Sequence, residues 1–248
     1  MLKKIAAICL LGASLAFPGT VDAADKIRVG VTTTGIPFTF VDPATKEIKG
    51  AMVDLAQAIA ADNGLEASFE IVAFSALIPS LNTGKIDMIA AGMLITDQRK
   101  EAASFSSPVF SYGEAMFVAT DDKQNYTLDT LKGQPVGAQI GSAFVDPLKA
   151  LGIFSEVRLY DGIADIMREA KLGRIKAGFG DQPIVAYQIA NNPGLGVRLV
   201  DGYKPLKSGD IGPAVAKQNA DLLLKINASI AKLKASGELS RIFAKYGL

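Results

Sequence analysis

Between Lys26 and Met93 the chain runs strand, helix, strand, helix, strand, and that order leaves few folds open. "KIRVGVT" (Lys26 to Thr32) is apolar and β-branched, the composition of a buried strand. "TGIPFTFVDPATKEIKG" follows as a loop and hairpin with turns at Asp42-Pro43 and Gly50. "AMVDLAQAIAADNG" sets Met52, Leu55, Ala56, Ile59 and Ala60 at helical spacing and stops at Gly64. "EASFEIVAF" reads as a second strand, "SALIPSLNTG" as a short helix ended by Gly84, and "KIDMIAAGM" as a third strand. Strands joined in this way by helices form a mostly parallel sheet with helices on both faces.

The order then restarts. Thr127 to Leu131 reads as a short helix, Pro135 to Ile140 as a strand, and a new helix starts from Ser142. "EVRLYDG" is a strand, "IADIMREAKLGRIKAGFGD" a helix stopped by Gly173 and a strand ending at Asp181, and "PIVAYQIANN" a helix. "VRLVDGYKP" and "SGDIGPAVAK" are extended, an amphipathic helix spans Ala220 to Lys234, and a last one lies near Glu238 to Tyr246. The tail brings no strand of its own, so it packs on another unit. The expected architecture is α/β with two lobes, residues 24–117 and 118–210, and residues 211–248 returning to the first. The chain crosses twice, near 115–120 and 208–215, with no Gly/Ser/Pro-rich linker, so the crossings serve as a hinge.

Composition removes several kinds of chemistry. Lys3 and Lys4 precede an apolar run from Ile5 to Phe17, shorter than the roughly 20 residues of a membrane span, and Val21 and Ala23 suit cleavage after Ala23. The expectation is export to the periplasm. Losing residues 1–23 takes two lysines and one aspartate from 26 basic and 25 acidic residues, leaving a formally neutral chain with no cationic field for nucleic acid. The single cysteine, Cys9, lies in the leader, and the chain has no histidine. Disulfides, His-dependent triads and histidine zinc sites are thereby excluded. No cofactor, no metal and no catalytic residue is expected, and the protein is expected to be a monomer.

Four places could hold a ligand. In "AAGMLITDQRKEAASFSSP" (Ala90 to Pro108), Thr96 is a helix N-cap and Arg99 falls in the first turn, where a cation is ordinarily unfavourable. Asp97 and Glu101 are two residues to either side, a spacing that does not face it on a helix. Either an external anion completes Arg99 or a distant acid does. Asp181 follows a buried strand, in the turn before a helix; it is either a ligand carboxylate at the carboxyl end of a sheet or an ordinary N-cap. "AQIGSAF" puts Gly141 and Ser142 at a strand-to-helix turn, an anion cradle or a plain turn. Phe74 ends a strand and either stacks on a ligand or joins the core.

Taken together the segments are similar to a known family. "GMLITDQRKEAASFSSPVF", "KGAMVDLAQAIA", "FSALIPSLNTGKIDMIAAGM", "GRIKAGFGDQPIVAY" and the terminal "IFAKYGL" resemble, in order, the blocks of family 3 periplasmic solute-binding proteins of ABC importers for polar amino acids. The resemblance implies a type II periplasmic-binding-protein fold and a ligand held between closing lobes. It implies that Arg99, with amides near Gly92 and Leu94, holds an α-carboxylate, that Asp181 holds an α-ammonium, that Ser142 and Ala143 line a turn beside it, and that Phe74 is a pocket wall. It implies an ABC permease as partner. The alternatives are a sensor module or an enzyme like cyclohexadienyl dehydratase. This chain departs from the family at four places. Leu94 and Ala143 lack hydroxyls, Thr32 stands where an acid often helps with the ammonium, and Gly35 stands where an aromatic often covers the ligand. The last two changes imply a wider, less cation-seeking pocket, suited to a bulkier or modified amino acid such as an opine-like conjugate rather than free Lys, Arg or His.

Overall fold

The computed structural model describes residues 25–248; the basic and apolar leader and its cleavage after Ala23 lie outside them. The elements of the first half are β1 (Lys26–Val31), β2 (Thr34–Gly35), β3 (Thr39–Val41), β4 (Ile48–Lys49), α1 (Ala51–Asp62), β5 (Glu66–Ile71), α2 (Leu77–Asn82), β6 (Met88–Ile89), α3 (Asp97–Ala102) and β7 (Ser104–Phe105). The crossing strand is β8 (Phe110–Ala119). There follow β9 (Pro135–Gln139), α4 (Val145–Ala150), β10 (Glu156–Tyr160), α5 (Ile163–Lys171), β11 (Ala177–Asp181), α6 (Gln182–Asn191), β12 (Val197–Leu199), β13 (Ser208–Ile211), β14 (Ala214–Val215), α7 (Ala220–Ala235) and α8 (Glu238–Ala244).

Two sheets organise two lobes. The first runs β5-β1-β6-β14-β7, with β1 parallel to β5 and β6 and with β14 antiparallel to β6 and β7. The second runs β10-β9-β11-β8-β12, with β9 parallel to β10 and β11 and with β8 antiparallel to β11 and β12. Val29 and Val31 of β1 are fully buried, as expected of a strand covered on both faces. Helix α5 buries Ile163, Ile166, Met167 and Ala170, which repeat at three- and four-residue spacing on one face against the second sheet. Each such side chain contributes on the order of 1.5–3 kcal/mol by leaving water.

Segments just past the carboxyl ends of the parallel strands meet across the lobes, Gly141 after β9 against Ser75 after β5 and Gly162 after β10 against Thr34 after β1, which is where a ligand site of an open α/β sheet falls. The hinge that joins them is a ladder: Phe110, Ser111, Tyr112 and Gly113 of β8 pair with Ile211, Asp210, Gly209 and Ser208 of β13. The next residue, Glu114, already pairs with Asp181 in the second sheet. The first crossing therefore ends at Gly113, and residues 114–117, expected in the first lobe, belong to the second. The boundary moves because β8 is one continuous strand shared by hinge and sheet, with no turn to mark the change. β13, paired with the hinge part of β8, leads into β14 of the first sheet.

The C-terminal helices pack on the first lobe. The Ser229 hydroxyl of α7 donates to Asp62 at 2.6 Å and accepts from Asn63 at 2.9 Å, Lys232 pairs with Asp62 at 2.9 Å, and Lys245 reaches Asp54 at 2.6 Å. Phe243 of α8 stacks on Phe110 of the hinge, with ring centroids 5.3 Å apart. Two local expectations change. Residues 129–131 form only a 3-10 turn. Helix α4 begins at Val145 rather than Ser142, because Gly141 at φ +76° reverses the chain and residues 140–144 are spent in turns.

Candidate functional site

Arg99 sits where its sequence context placed it. Thr96 is the N-cap of α3, and its hydroxyl accepts the Arg99 N–H at 3.2 Å. With only six residues, α3 carries little dipole, so the chemistry rests on the side chain. Its Nη1 donates to the Leu94 carbonyl at 2.6 Å, and its Nη2 donates to the Gly141 carbonyl of the second lobe at 2.8 Å. Its guanidinium carbon lies 5.5 Å from the centre of the Phe74 ring. Carbonyl oxygens orient the guanidinium but do not neutralise it. Burial pushes its pKa down from the usual value, with Tyr112 and Asp181 acting the other way, and a guanidinium so held stays a cation.

Asp181 closes β11 and precedes α6, but its side chain makes no capping bond to that helix. It is 7% exposed. Burial raises its pKa to about 6, against the opposing pull of the Tyr112 hydroxyl, of the Arg99 charge, and of its own backbone N–H. Among the described residues, neither Arg99 nor Asp181 has an oppositely charged group within 4.0 Å. A cation on one lobe and an anion on the other are thus close enough to feel each other and are not joined.

Smaller groups complete the cluster. The Ser142 hydroxyl is enclosed and has no hydrogen-bond partner; leaving such a group unpaired costs about 1–3 kcal/mol. It is not the helix cap its Gly-Ser context suggested. Ala143 is half-buried against the second-lobe core and offers no polar atom. The N–H groups of Gly92 and Leu94 meet no acceptor among the described residues. Gly92 takes φ +67°, and its carbonyl accepts the Tyr112 hydroxyl at 2.7 Å. Phe74 is half-buried at the start of a 3-10 turn.

The Thr32 and Gly35 region differs from expectation. Thr32 and Thr39 are buried and share a hydrogen bond of 2.9 Å between their hydroxyls. A Cβ at Gly35 would lie 3.1 Å from the Thr39 hydroxyl and 3.2 Å from that of Thr32. The glycine therefore makes room for a threonine pair rather than for open pocket volume. Thr39, Tyr112 and Glu114 are the residues that sequence reasoning missed. Glu114 is 2% exposed and fully engaged: it accepts the Tyr203 hydroxyl at 2.8 Å, the Lys207 N–H at 2.9 Å and the Leu206 N–H. It ties the two crossing segments together. A crevice of about 420 Å³ between Pro37, Phe110, Tyr187 and Leu248 lies outside this cluster and is lined by no Asp, Glu, Lys or Arg side chain.

Residues 27–248 match the bacterial extracellular solute-binding proteins, family 3. The chain belongs to that family. This solute-binding protein is 34% identical over 242 residues to the ABC transporter arginine-binding protein 1 of Escherichia coli (strain K12), covering 97% of each chain. Its structure superposes with a TM-score of 0.82 and 35% identity on an ancestral arginine-binding protein bound to glutamine, covering 90% of this chain and 98% of the other. It also superposes, with a TM-score of 0.81 and 28% identity, on an ancestral amino acid-binding protein described as a precursor of cyclohexadienyl dehydratase, covering 89% and 95%. The fold of this solute-binding protein is the two-lobed type II periplasmic-binding-protein fold. Its lobes touch at Gly141, where an added Cβ would meet the Ser75 Cα at 3.0 Å in a backbone conformation that already disfavours one. Gly141→Ala is expected to add about 1 kcal/mol of backbone strain and to hold the lobes apart. Small-angle scattering should then show a larger radius of gyration than for the unaltered protein.

Proposed function

We propose that this protein captures one zwitterionic amino acid between its lobes and presents it to an ABC permease. The α-carboxylate bridges Arg99 and the free N–H groups of Gly92 and Leu94; the α-ammonium sits on Asp181; Ser142 supplies a hydroxyl. The observation that carries this reading is the pair of unneutralised opposite charges facing each other across the hinge. Each charge-assisted bond is worth about 1.5–3 kcal/mol, so a few of them in an enclosed site reach the roughly −8 kcal/mol of micromolar binding. Closure is favoured by the amount that the bound molecule prefers the closed form, and a zwitterion that needs both lobes supplies that preference.

The side chain of the bound molecule is neutral or is an opine-like extension. Thr32 and Thr39 offer hydroxyls where a cationic side chain would need a carboxylate, and Glu114 is already committed to the hinge. The related proteins named for arginine and the neighbour bound to glutamine bracket this choice. Thermal denaturation with L-glutamine, L-arginine, L-lysine, L-histidine and opine-type conjugates tests it. L-Glutamine or a conjugate should raise Tm in a concentration-dependent way, and free L-lysine should not. High-affinity L-lysine binding would overturn the side-chain assignment. No effect of any amino acid or conjugate would overturn the function.

One observation favours a second reading, an acid catalyst: a buried carboxylate with a pKa near 6 suits proton transfer near neutrality. A dehydratase would consume prephenate or arogenate, and incubation with either should give no product. Delivery to a receptor rather than a permease uses the same binding chemistry and differs only in the partner.

A further inference from the structure

This inference rests on the reading that an amino acid is held between the lobes. We propose that Gln139 is a positioning residue: it ties together the two second-lobe segments that touch the first lobe, so that both contacts close as one step. The segments are the Gly141–Ser142 turn after β9 and the Asp161–Gly162 turn before α5. An added Cβ at Gly141 would lie 3.0 Å from the Ser75 Cα, and one at Gly162 would lie 3.1 Å from the Thr34 Cγ2. Gln139 holds both turns. Its carbonyl accepts the Ser142 N–H at 3.0 Å, and its Nε2 donates to the Asp161 carbonyl at 2.8 Å.

Gln139 ends β9 and is only 5% exposed. A buried amide costs free energy unless it is bonded, and the bond this one makes crosses from one contact segment to the other. A carbonyl can only accept, so Nε2 is the atom that faces Asp161. Each segment reaches a different part of the proposed site. Arg99 donates to the Gly141 carbonyl, and Ser142 offers its hydroxyl, at the end assigned to the α-carboxylate and α-ammonium. Thr34 precedes Gly35, which packs on the Thr32–Thr39 pair at the end assigned to the ligand side chain. Were the two segments independent, a ligand with the wrong side chain would still be gripped by its carboxylate. Tied through Gln139, a side chain that keeps Gly162 off Thr34 also keeps Gly141 off Ser75, and the free energy of one contact is felt at the other.

The test follows backbone amides by NMR in the full chain. Ser75 and Thr34 are the reporters, because they feel the two contacts from the first lobe, away from the substituted residue. L-Glutamine should carry both amides of the unaltered protein to their bound positions along one binding curve. Gln139→Met keeps the length of the side chain and removes the donor. In that variant saturating L-glutamine should carry the Ser75 amide the full distance and leave the Thr34 amide short of it, and affinity should fall roughly five- to tenfold. Without ligand, the ¹⁵N order parameter of Gly162 should drop in the variant and that of Gly141 should hold. Gln139→Glu keeps the shape but, as a carboxylate, cannot donate to a carbonyl; it should show the same split and covers the case in which the methionine variant does not fold. Both amides reaching their bound positions in a folded variant, or both falling short by the same fraction, overturns the proposal, and so does an unchanged order parameter at Gly162. If no amino acid moves either amide of the unaltered protein, the proposed function is overturned instead, and a drop at Gly162 then leaves the tie through Gln139 standing.

Discussion

Arg99→Ala is expected to weaken L-glutamine binding by roughly a hundredfold or more in titration calorimetry, because truncating one partner of an enclosed, hydrogen-bonded charge pair costs about 2–5 kcal/mol. The fold should survive. The side chain holds no carboxylate of the protein; it loses only bonds to the Leu94 and Gly141 carbonyls and the contact with Phe74. The Gly141 bond is the one that spans the lobes, so the variant should also scatter as a more open particle. Arg198 supplies the contrast. It too pairs with no carboxylate, but it clamps the carbonyls of Asp122 and Gln124 within the second lobe. Arg198→Ala should lower Tm and leave affinity near that of the unaltered protein. If Arg99→Ala kept its affinity, the anion would have to be held elsewhere.

Asp181→Asn should weaken L-glutamine binding by roughly a hundredfold and stabilise the protein at once. The carboxyl group titrates at about 6 in the fold against an ordinary value of 3.8, because burial penalises its charge. A folded pKa raised above the unfolded one means that the native state binds the proton more tightly. The destabilisation is therefore absent below about pH 4, grows as pH rises to about 6, and is fully present at neutrality, where a two-unit shift amounts to about 3 kcal/mol. Asparagine keeps the shape and removes the charge. Calorimetric Tm should rise at pH 7 by about 6–12 °C for a chain of this size and change little at pH 4. A Tm that falls equally at both pH values would show Asp181 to be structurally required rather than held at a cost for its ligand. The same titration predicts that amino-acid affinity changes little just above neutrality, while the ligand's α-ammonium keeps its proton, and falls about tenfold per pH unit below pH 6, as the carboxylate takes up a proton instead of an ammonium.

What could be read before folding was local. The face of α5, the buried core of β1, the Thr96 cap that fixes Arg99 and the strand end that carries Asp181 each depend on residues within one turn or one strand. What escaped was made by pairing over distance. "FSYGEAMFVA" shows by its alternation that Phe110, Tyr112 and Glu114 share a face, yet nothing in it tells that the strand changes partners between Gly113 and Glu114. The roles of Tyr112 and Glu114 depend on β13 and on residues 203–207, about 90 positions later in the chain. The Gly-Ser pair at 141–142 looked like a helix start, because a cap and a turn use the same residues, and the closeness of Ser75 from the other lobe to Gly141 is not written in the local sequence. Gly35 looked like missing bulk until the threonine pair beside it was placed.

The central claim is that Arg99 and Asp181 read opposite ends of one molecule, and titration calorimetry with trimmed ligands tests it directly. L-Glutamine, its counterpart lacking the α-amino group and its counterpart lacking the α-carboxylate are each measured against the unaltered protein, Arg99→Ala and Asp181→Asn. The account predicts a matched pattern. Once the carboxylate is gone, removing Arg99 costs nothing further, and once the amino group is gone, removing Asp181 costs nothing further, while the crossed combinations lose affinity again. Equal losses in all combinations, or full affinity for either trimmed ligand, would contradict it.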